Sequence, residues 1–157
     1  MFRSVVSYKG APGVTIPMIR RAMKQARKDM VVYWHRNILP RHFLLDAVGK
    51  YGYTPRTAPY MRRKGKKKGH QFPLVYSGTG RDTATRAFFG LSGTPKTARL
   101  KFRVPFYMGI VTRTRIDMIY ELTATLPSEI EEMEVVLDAN IQQALAASAQ
   151  IQTEVIV

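Results

Sequence analysis

Every one of the 25 lysines and arginines in this 157-residue chain lies at or before Arg115. Residues 1–116 carry only three acids beside them (Asp29, Asp46 and Asp82), a balance of +22. Residues 117–157 hold eight acids and no base, a balance of −8. Any fold of this chain must keep a basic body solvated or faced by anions, and must give an acidic quarter its own place. Two physical readings follow. The basic part faces phosphate and displaces condensed counterions, or the acidic segment of one copy meets the basic face of another, head to tail, steered by charge. Both can hold in one protein.

The length fits a single domain over residues 1–157 with a hydrophobic core. A hydrophobic content of 45% with 23% charged residues is globular composition. The absence of cysteine excludes a disulfide scaffold, a thiol nucleophile and Cys-ligated metal. No stretch approaches the ~18 apolar residues that span a bilayer. Met1-Phe2-Arg3-Ser4 lacks the build of a signal peptide, so a soluble, unprocessed chain without membrane contact is expected.

Periodicity predicts the elements. Phe2–Tyr8 is β-prone, with a turn at Lys9–Gly13. Thr15 is placed to cap a helix with Pro17 in its first turn. From Pro17 to about Asn37, Ile19, Met23, Ala26, Met30 and Trp34 form one apolar stripe, which Pro40 ends. Arg41–Val48 reads as a short second helix closed by Gly49. Thr83–Phe89 reads as a strand and Gly90–Lys96 as a turn. Thr97–Val104 alternates Ala98, Leu100, Phe102 and Val104 against Arg99, Lys101 and Arg103, a half-buried strand with a basic outer face. Ile110–Thr125 supplies one or two more strands. A Ser128–Glu131 capping box opens a second long helix, marked by Ile130, Met133, Leu137, Ile141 and Leu145. The tail 150–157 is β-prone and suited to a sheet edge, a neighbour's included. The fold class is α+β: an antiparallel β-sheet packed by two long helices, with a long basic loop arm.

That arm is residues 51–71. Pro55, Pro59, Gly65 and Gly69 break it, and Arg62, Arg63, Lys64, Lys66, Lys67 and Lys68 crowd six like charges into seven positions. A structureless loop this long is expected to be functional or ordered by assembly. Tyr51, Tyr53 and Tyr60 interleave with Arg56, Arg62 and Arg63. Such a pattern suits base stacking on single-stranded nucleic acid, and equally anchors an arm in a neighbouring subunit.

Catalytic and metal chemistry find little here. His35 and His42 are separated by Pro40, so they form no i, i+4 metal pair. Gly65-Lys66-Lys67-Lys68-Gly69 lacks the spacing of a phosphate loop. The three scattered aspartates of the basic body do not make a magnesium-dependent nuclease site. Ser77 has no evident base. No cofactor, metal or enzymatic activity is expected.

Pro73-Leu74-Val75-Tyr76-Ser77-Gly78, followed by Arg81-Asp82, resembles a Pro-Leu-Val-x-Thr/Ser-Gly-x-x-Arg motif of tail-completion and virion-morphogenesis proteins of tailed bacteriophages. In that family a long helix precedes the motif, and a C-terminal helix follows a Leu-Pro turn, here Leu126-Pro127. The resemblance covers residues 15–148 in the order of elements and about ten residues as a motif. It implies a non-enzymatic ring subunit at the head–tail junction of the virion, a tail terminator or head–tail adaptor, assembled in the host cytoplasm. Its partners would be further copies of itself and other neck, tail or portal proteins, with non-specific contact to packaged DNA. On that reading the basic arm, Arg56 included, contacts a neighbour's acidic surface or DNA, and Glu129, Glu131, Glu132 and Glu134 form the acidic interface. The alternative is a non-catalytic basic nucleic-acid-binding protein.

Overall fold

The computed structural model describes residues 15–110 and 116–154, with side chains to Ala147. The expected strand at Phe2–Tyr8 lies outside the described residues. Helix α1 spans Ile16–Tyr33, with Thr15 in extended conformation before it and Pro17 in its first turn. The Thr15 carbonyl accepts the Ile19 N–H at 3.1 Å, while its side chain makes no capping bond. The helix then widens into a π turn, Trp34–Ile38, and tightens into a 3-10 turn, Leu39–Phe43. Pro40 sits at the start of that last turn, where its missing N–H is harmless. The changes of winding bring His35, Ile38, Leu39, His42 and Phe43 all inward. The short helix expected over 41–48 is displaced: α2 is Ala47–Lys50 and contains Gly49.

The basic segment is not a loop arm. Residues Ala58–Lys68 form helix α3, which begins with Pro59 in its first turn. It ends at Gly69, whose left-handed φ of 72° lets its N–H close onto the Gly65 carbonyl at 2.9 Å. A helix turns about 100° per residue, so six adjacent cations need not share a face. Arg62, Arg63, Lys66, Lys67 and Lys68 point to solvent and Lys64 alone turns inward. Three of the exposed five lie in the last turn, where the helix dipole favours positive charge.

The strand expected over Thr83–Phe89 starts later: Thr83–Arg86 belong to helix α4 (Thr79–Arg86). Gly80 is buried in it, because a side chain there would meet Tyr107 Oη at 3.2 Å and Met108 Sδ at 3.3 Å. Strands β1 (Phe88–Gly93) and β2 (Ala98–Phe102) form an antiparallel hairpin, the sheet of the described residues. Leu91 pairs with Leu100 and Gly93 with Ala98, and a bulge at Phe89 leaves that ring outside. β2 has the alternation expected of it, whereas Gly90–Gly93 of the expected turn are strand, and the turn is Thr94–Thr97, closed by Thr94 N–H to the Thr97 carbonyl at 2.7 Å. Gly93 lets the hairpin approach α1 closely, a Cβ there lying 3.0 Å from Lys28 Cγ. Arg27 Nε fixes the contact by donating to the Pro95 carbonyl at 2.8 Å.

Of the strands expected over 110–125, residues 111–115 lie outside the described residues, and the part from Met118 is helical: a 3-10 turn (Phe106–Gly109) comes before the gap and helix α5 (Met118–Thr123) after it. Asp117 caps α5 by accepting the N–H groups of Ile119 (3.0 Å) and Tyr120 (2.9 Å). Helix α6 runs Pro127–Glu154, so residues 150–154 of the expected β-prone tail are helical, and 155–157 lie outside the described residues. Its capping bond is two residues earlier than predicted: Glu129 Oε2 accepts the Leu126 N–H at 3.2 Å, not Glu131 returning to Ser128. Tyr33 at the end of α1 meets Glu132 near the start of α6, so the pair is antiparallel. Its seam is Ala22 and Ala26 against Leu137, Ile141 and Leu145. A second core joins Leu39, Phe43, Val75, Ala84, Met108 and Leu122 beneath the hairpin and α5. The whole is α+β, as expected, with one hairpin packed on long helices. Among the described residues no helix is long and apolar enough to cross a membrane.

Candidate functional site

Arg41, in the 3-10 turn after α1, reaches the first turns of α6. Its Nη1 and Nη2 each lie 2.8 Å from a different oxygen of Glu132, a two-pronged pair, and Nη1 is 3.5 Å from Glu129 Oε1. Tyr33 donates its hydroxyl to Glu132, and Tyr51 donates to Glu129 Oε1 at 2.6 Å. The bonds from Arg41 and Tyr33 hold the Glu132 carboxyl down to about 2, against an ordinary 4.5. The bond to Glu132 likewise pushes the Tyr33 phenol up. Burial, then the Glu129 carboxylate, raises Tyr51. Two of the four predicted interface glutamates are therefore spent inside the protomer, while Glu131 and Glu134 stay exposed.

The sign of the pH dependence follows. A carboxyl depressed in the fold stabilises it above the unfolded value near 4.5, and that contribution fades as pH falls through about 2. Both partners are about a third exposed, so the pair ranks between a surface and a buried bridge. Arg41→Gln should cost about 1–2 kcal/mol at neutral pH, with the two stability curves converging as pH drops from 5 to 2. Urea unfolding at pH 7, 4 and 2.5 checks this, and a gap independent of pH would refute it.

Behind this cluster the rings of Tyr51 and Tyr53 stack on His42, with centroids 4.1 and 6.2 Å away. His42 Nδ1 lies 2.5 Å from Tyr53 Oη and 3.1 Å from the Glu121 carbonyl, which can only accept, so the proton sits on Nδ1. Burial lowers the pKa of the ring. Glu121, itself buried, receives Arg56 Nη1 at 2.9 Å and Nη2 at 2.5 Å, and the Thr54 N–H at 3.1 Å. His35 is a core residue: Nε2 meets the Ala84 carbonyl at 2.9 Å and burial lowers its pKa. Among the described residues no group of three His, Cys, Asp or Glu could hold a metal ion.

A cavity of about 760 Å³ opens between α3, residues 53–57 and the 71–77 segment. Its wall gathers sequence-predicted residues of three kinds: the anchors Tyr53 and Tyr60, the cations Arg56 and Lys64, and Pro73, Leu74, Val75 and Ser77 of the motif. Leu74 holds a left-handed φ of 54°, a conformation that costs a non-glycine residue about 1–2 kcal/mol. Gly78, at φ 87°, opens α4, and Arg81 lies outside the cavity, exposed and 3.2 Å from Asp82. Lys64 is 4% exposed and donates to the Phe72 carbonyl. Burial lowers its pKa, and no ion pair among the described residues neutralises it.

Three outer faces remain. On α3, Lys68 lies 4.9 Å over the Tyr76 ring and Arg63 6.0 Å from that of Tyr60, while Arg62, Lys66 and Lys67 stand free. On β2 and directly after it, Arg99, Lys101 and Arg103 are exposed, with Arg103 5.8 Å from Phe89, itself 63% exposed. On α6, Glu131, Glu134 and Asp138 surround Val135, 70% exposed. Arg41 and Glu121 are the site residues that the sequence does not single out, and no local pattern marks their pairing with Glu132 and Arg56. No protein-family model matches the chain, and neither a curated protein nor a solved structure does so.

Proposed function

We propose that this chain is a structural subunit of a tailed-phage virion, a neck or tail-completion protein assembling as a homo-oligomeric ring at the head–tail junction. The observation that carries the reading is charge left over on separate outer faces. Arg62, Arg63, Lys66 and Lys67 on α3 and Glu131, Glu134 and Asp138 on α6 form no ion pair with one another among the described residues. Opposite faces of this kind support heterologous contacts, which close into rings. The 73–81 motif adds the resemblance to tail-completion proteins. Its partners would be its own copies and other neck, tail or portal proteins, in the virion and, during assembly, in the host cytoplasm. The role is structural and non-enzymatic.

The basic faces of α3 and β2, with Phe89 bare beside Arg103, favour a second reading as a non-catalytic nucleic-acid binder. Light-scattering mass on nuclease-treated protein separates the two. A discrete multimer free of nucleic acid, shrinking at 1 M salt where screening reaches about 3 Å, is the expected result. A monomer that carries nucleic acid at low salt and sheds it at high salt would favour the second reading. Replacing Arg62, Arg63, Lys66 and Lys67 together by serine should abolish the multimer. Thermal stability should shift by no more than about 0.5 kcal/mol per site, as for other exposed positions. An unchanged mass would count against the α3 face as the contact.

A further inference from the structure

The cavity beside α3 has a chemistry that specifies an occupant. Its volume of about 760 Å³ lies within the roughly 300–1,000 Å³ of ligand pockets. Tyr53, Tyr60, Tyr76 and Tyr107 with Met61 and Met118 make its wall largely apolar and aromatic. The charged groups on that wall are Arg56, already matched by Glu121, and Lys64. Among the described residues no carboxylate lines it. A buried ammonium offers three protons, and Lys64 places one on the Phe72 carbonyl. Holding a cation out of water without a counterion is costly, so an arriving carboxylate gains more here than at any exposed lysine.

The sequence contains a segment of the complementary kind. Glu154-Val155-Ile156-Val157 puts one carboxylate beside three aliphatic residues, in the part of the chain without bases. We infer that this segment of a second copy docks in the cavity, with the Glu154 carboxylate on Lys64 and the aliphatic side chains among the tyrosines. Helix geometry requires the second copy. Glu129 near the start of α6 bonds to Tyr51, two residues from Tyr53 in the cavity wall. Glu154 is 25 residues further along an unbroken helix, roughly 37 Å away at 1.5 Å per residue. Three more residues reach back at most about 10 Å. The segment falls short of its own cavity and meets that of a neighbour, which makes the contact head to tail.

This inference rests on the assembly reading and names the contact that would build it. A chain without cysteine allows a direct test. Ser77→Cys, exposed at the cavity wall, and Ile156→Cys are made in separate full-length proteins, mixed and oxidised, with light-scattering mass measured in parallel. The mixed disulfide dimer should exceed either homodimer by at least about tenfold, as a held pair does over random collision. Adding Lys64→Met to the Ser77→Cys protein should remove the excess without lowering thermal stability, since methionine keeps the packing and drops a buried charge. A multimer without the mixed dimer overturns this docking and leaves ring assembly standing. A mixed dimer indifferent to Lys64→Met overturns the carboxylate–lysine contact. A monomer at every concentration overturns both the docking and the assembly.

Discussion

Arg56→Met should destabilise the protein by about 3–5 kcal/mol, the range for removing one partner of a buried ion pair. The Glu121 side chain is only 5% exposed, so losing the guanidinium strands a carboxylate that water cannot reach. Chains of this length lose about 2–4 °C of melting temperature per kcal/mol, so the midpoint should fall by roughly 10 °C. The double variant Arg56→Met with Glu121→Leu should recover most of that loss, because two apolar residues in contact need no solvation. Thermal unfolding of wild type, both singles and the double closes the cycle. A single variant within about 1 kcal/mol of wild type, the ordinary size of an exposed pair, would show that the pair is solvated. The result also decides a question of function. Arg56 appears in the sequence as one cation of a basic arm. In the fold it is an internal strut, and its replacement should disturb any assembly or nucleic-acid assay by unfolding the protein.

That residues 58–68 wind into a helix despite their charge has a definite physical origin. Six like charges in seven positions argue against burial of the segment, and that argument is correct for five of them. It says nothing about winding, because a helix distributes neighbours around its axis. The boundary signals are present, Pro59 in the first turn and Gly69 as the left-handed stop, but in sequence a glycine that stops a helix looks the same as one that breaks it. The α1–α6 pair was legible because both helices keep one apolar stripe for many turns. β2 was legible because five residues alternate without interruption. Residues 79–86 and 118–123 were not, since helices of eight and six residues carry too few turns to show a period.

The candidate site was legible in its chemistry and not in its grouping. Glu129 and Glu132 differ from Glu131 and Glu134 only by position on the helix, and their roles follow from Arg41, about 90 residues away in sequence. Lys64 is distinguished from its five cationic neighbours by facing Phe72 and the cavity. No local pattern encodes that. What the sequence did carry was the large-scale partition of charge, and internal pairing consumes only part of it.

Ile141→Ala tests the element on which the acidic face depends. Ile141 is 2% exposed on the α1–α6 seam, opposite Ala22 and Ala26. Truncating a buried isoleucine removes transfer energy and leaves a void, together about 2–5 kcal/mol, and the upper half of that range is expected here. The reason is that the seam has little freedom to collapse. The two alanines already bring the helices close, and α1 is held at one end by Tyr33 and Arg41 on Glu132, and on its flank by Arg27 on the Pro95 carbonyl. Val135→Ala, on the exposed face of the same helix, should stay within about 0.5 kcal/mol. Urea unfolding separates the two, and equal losses would mean that α6 does not pack on α1 along this seam. If the seam holds as described, Val135→Ala also serves the assembly question. It removes apolar surface between Glu131, Glu134 and Asp138 while leaving the scaffold intact, so a fall in multimer mass would locate the contact on that face.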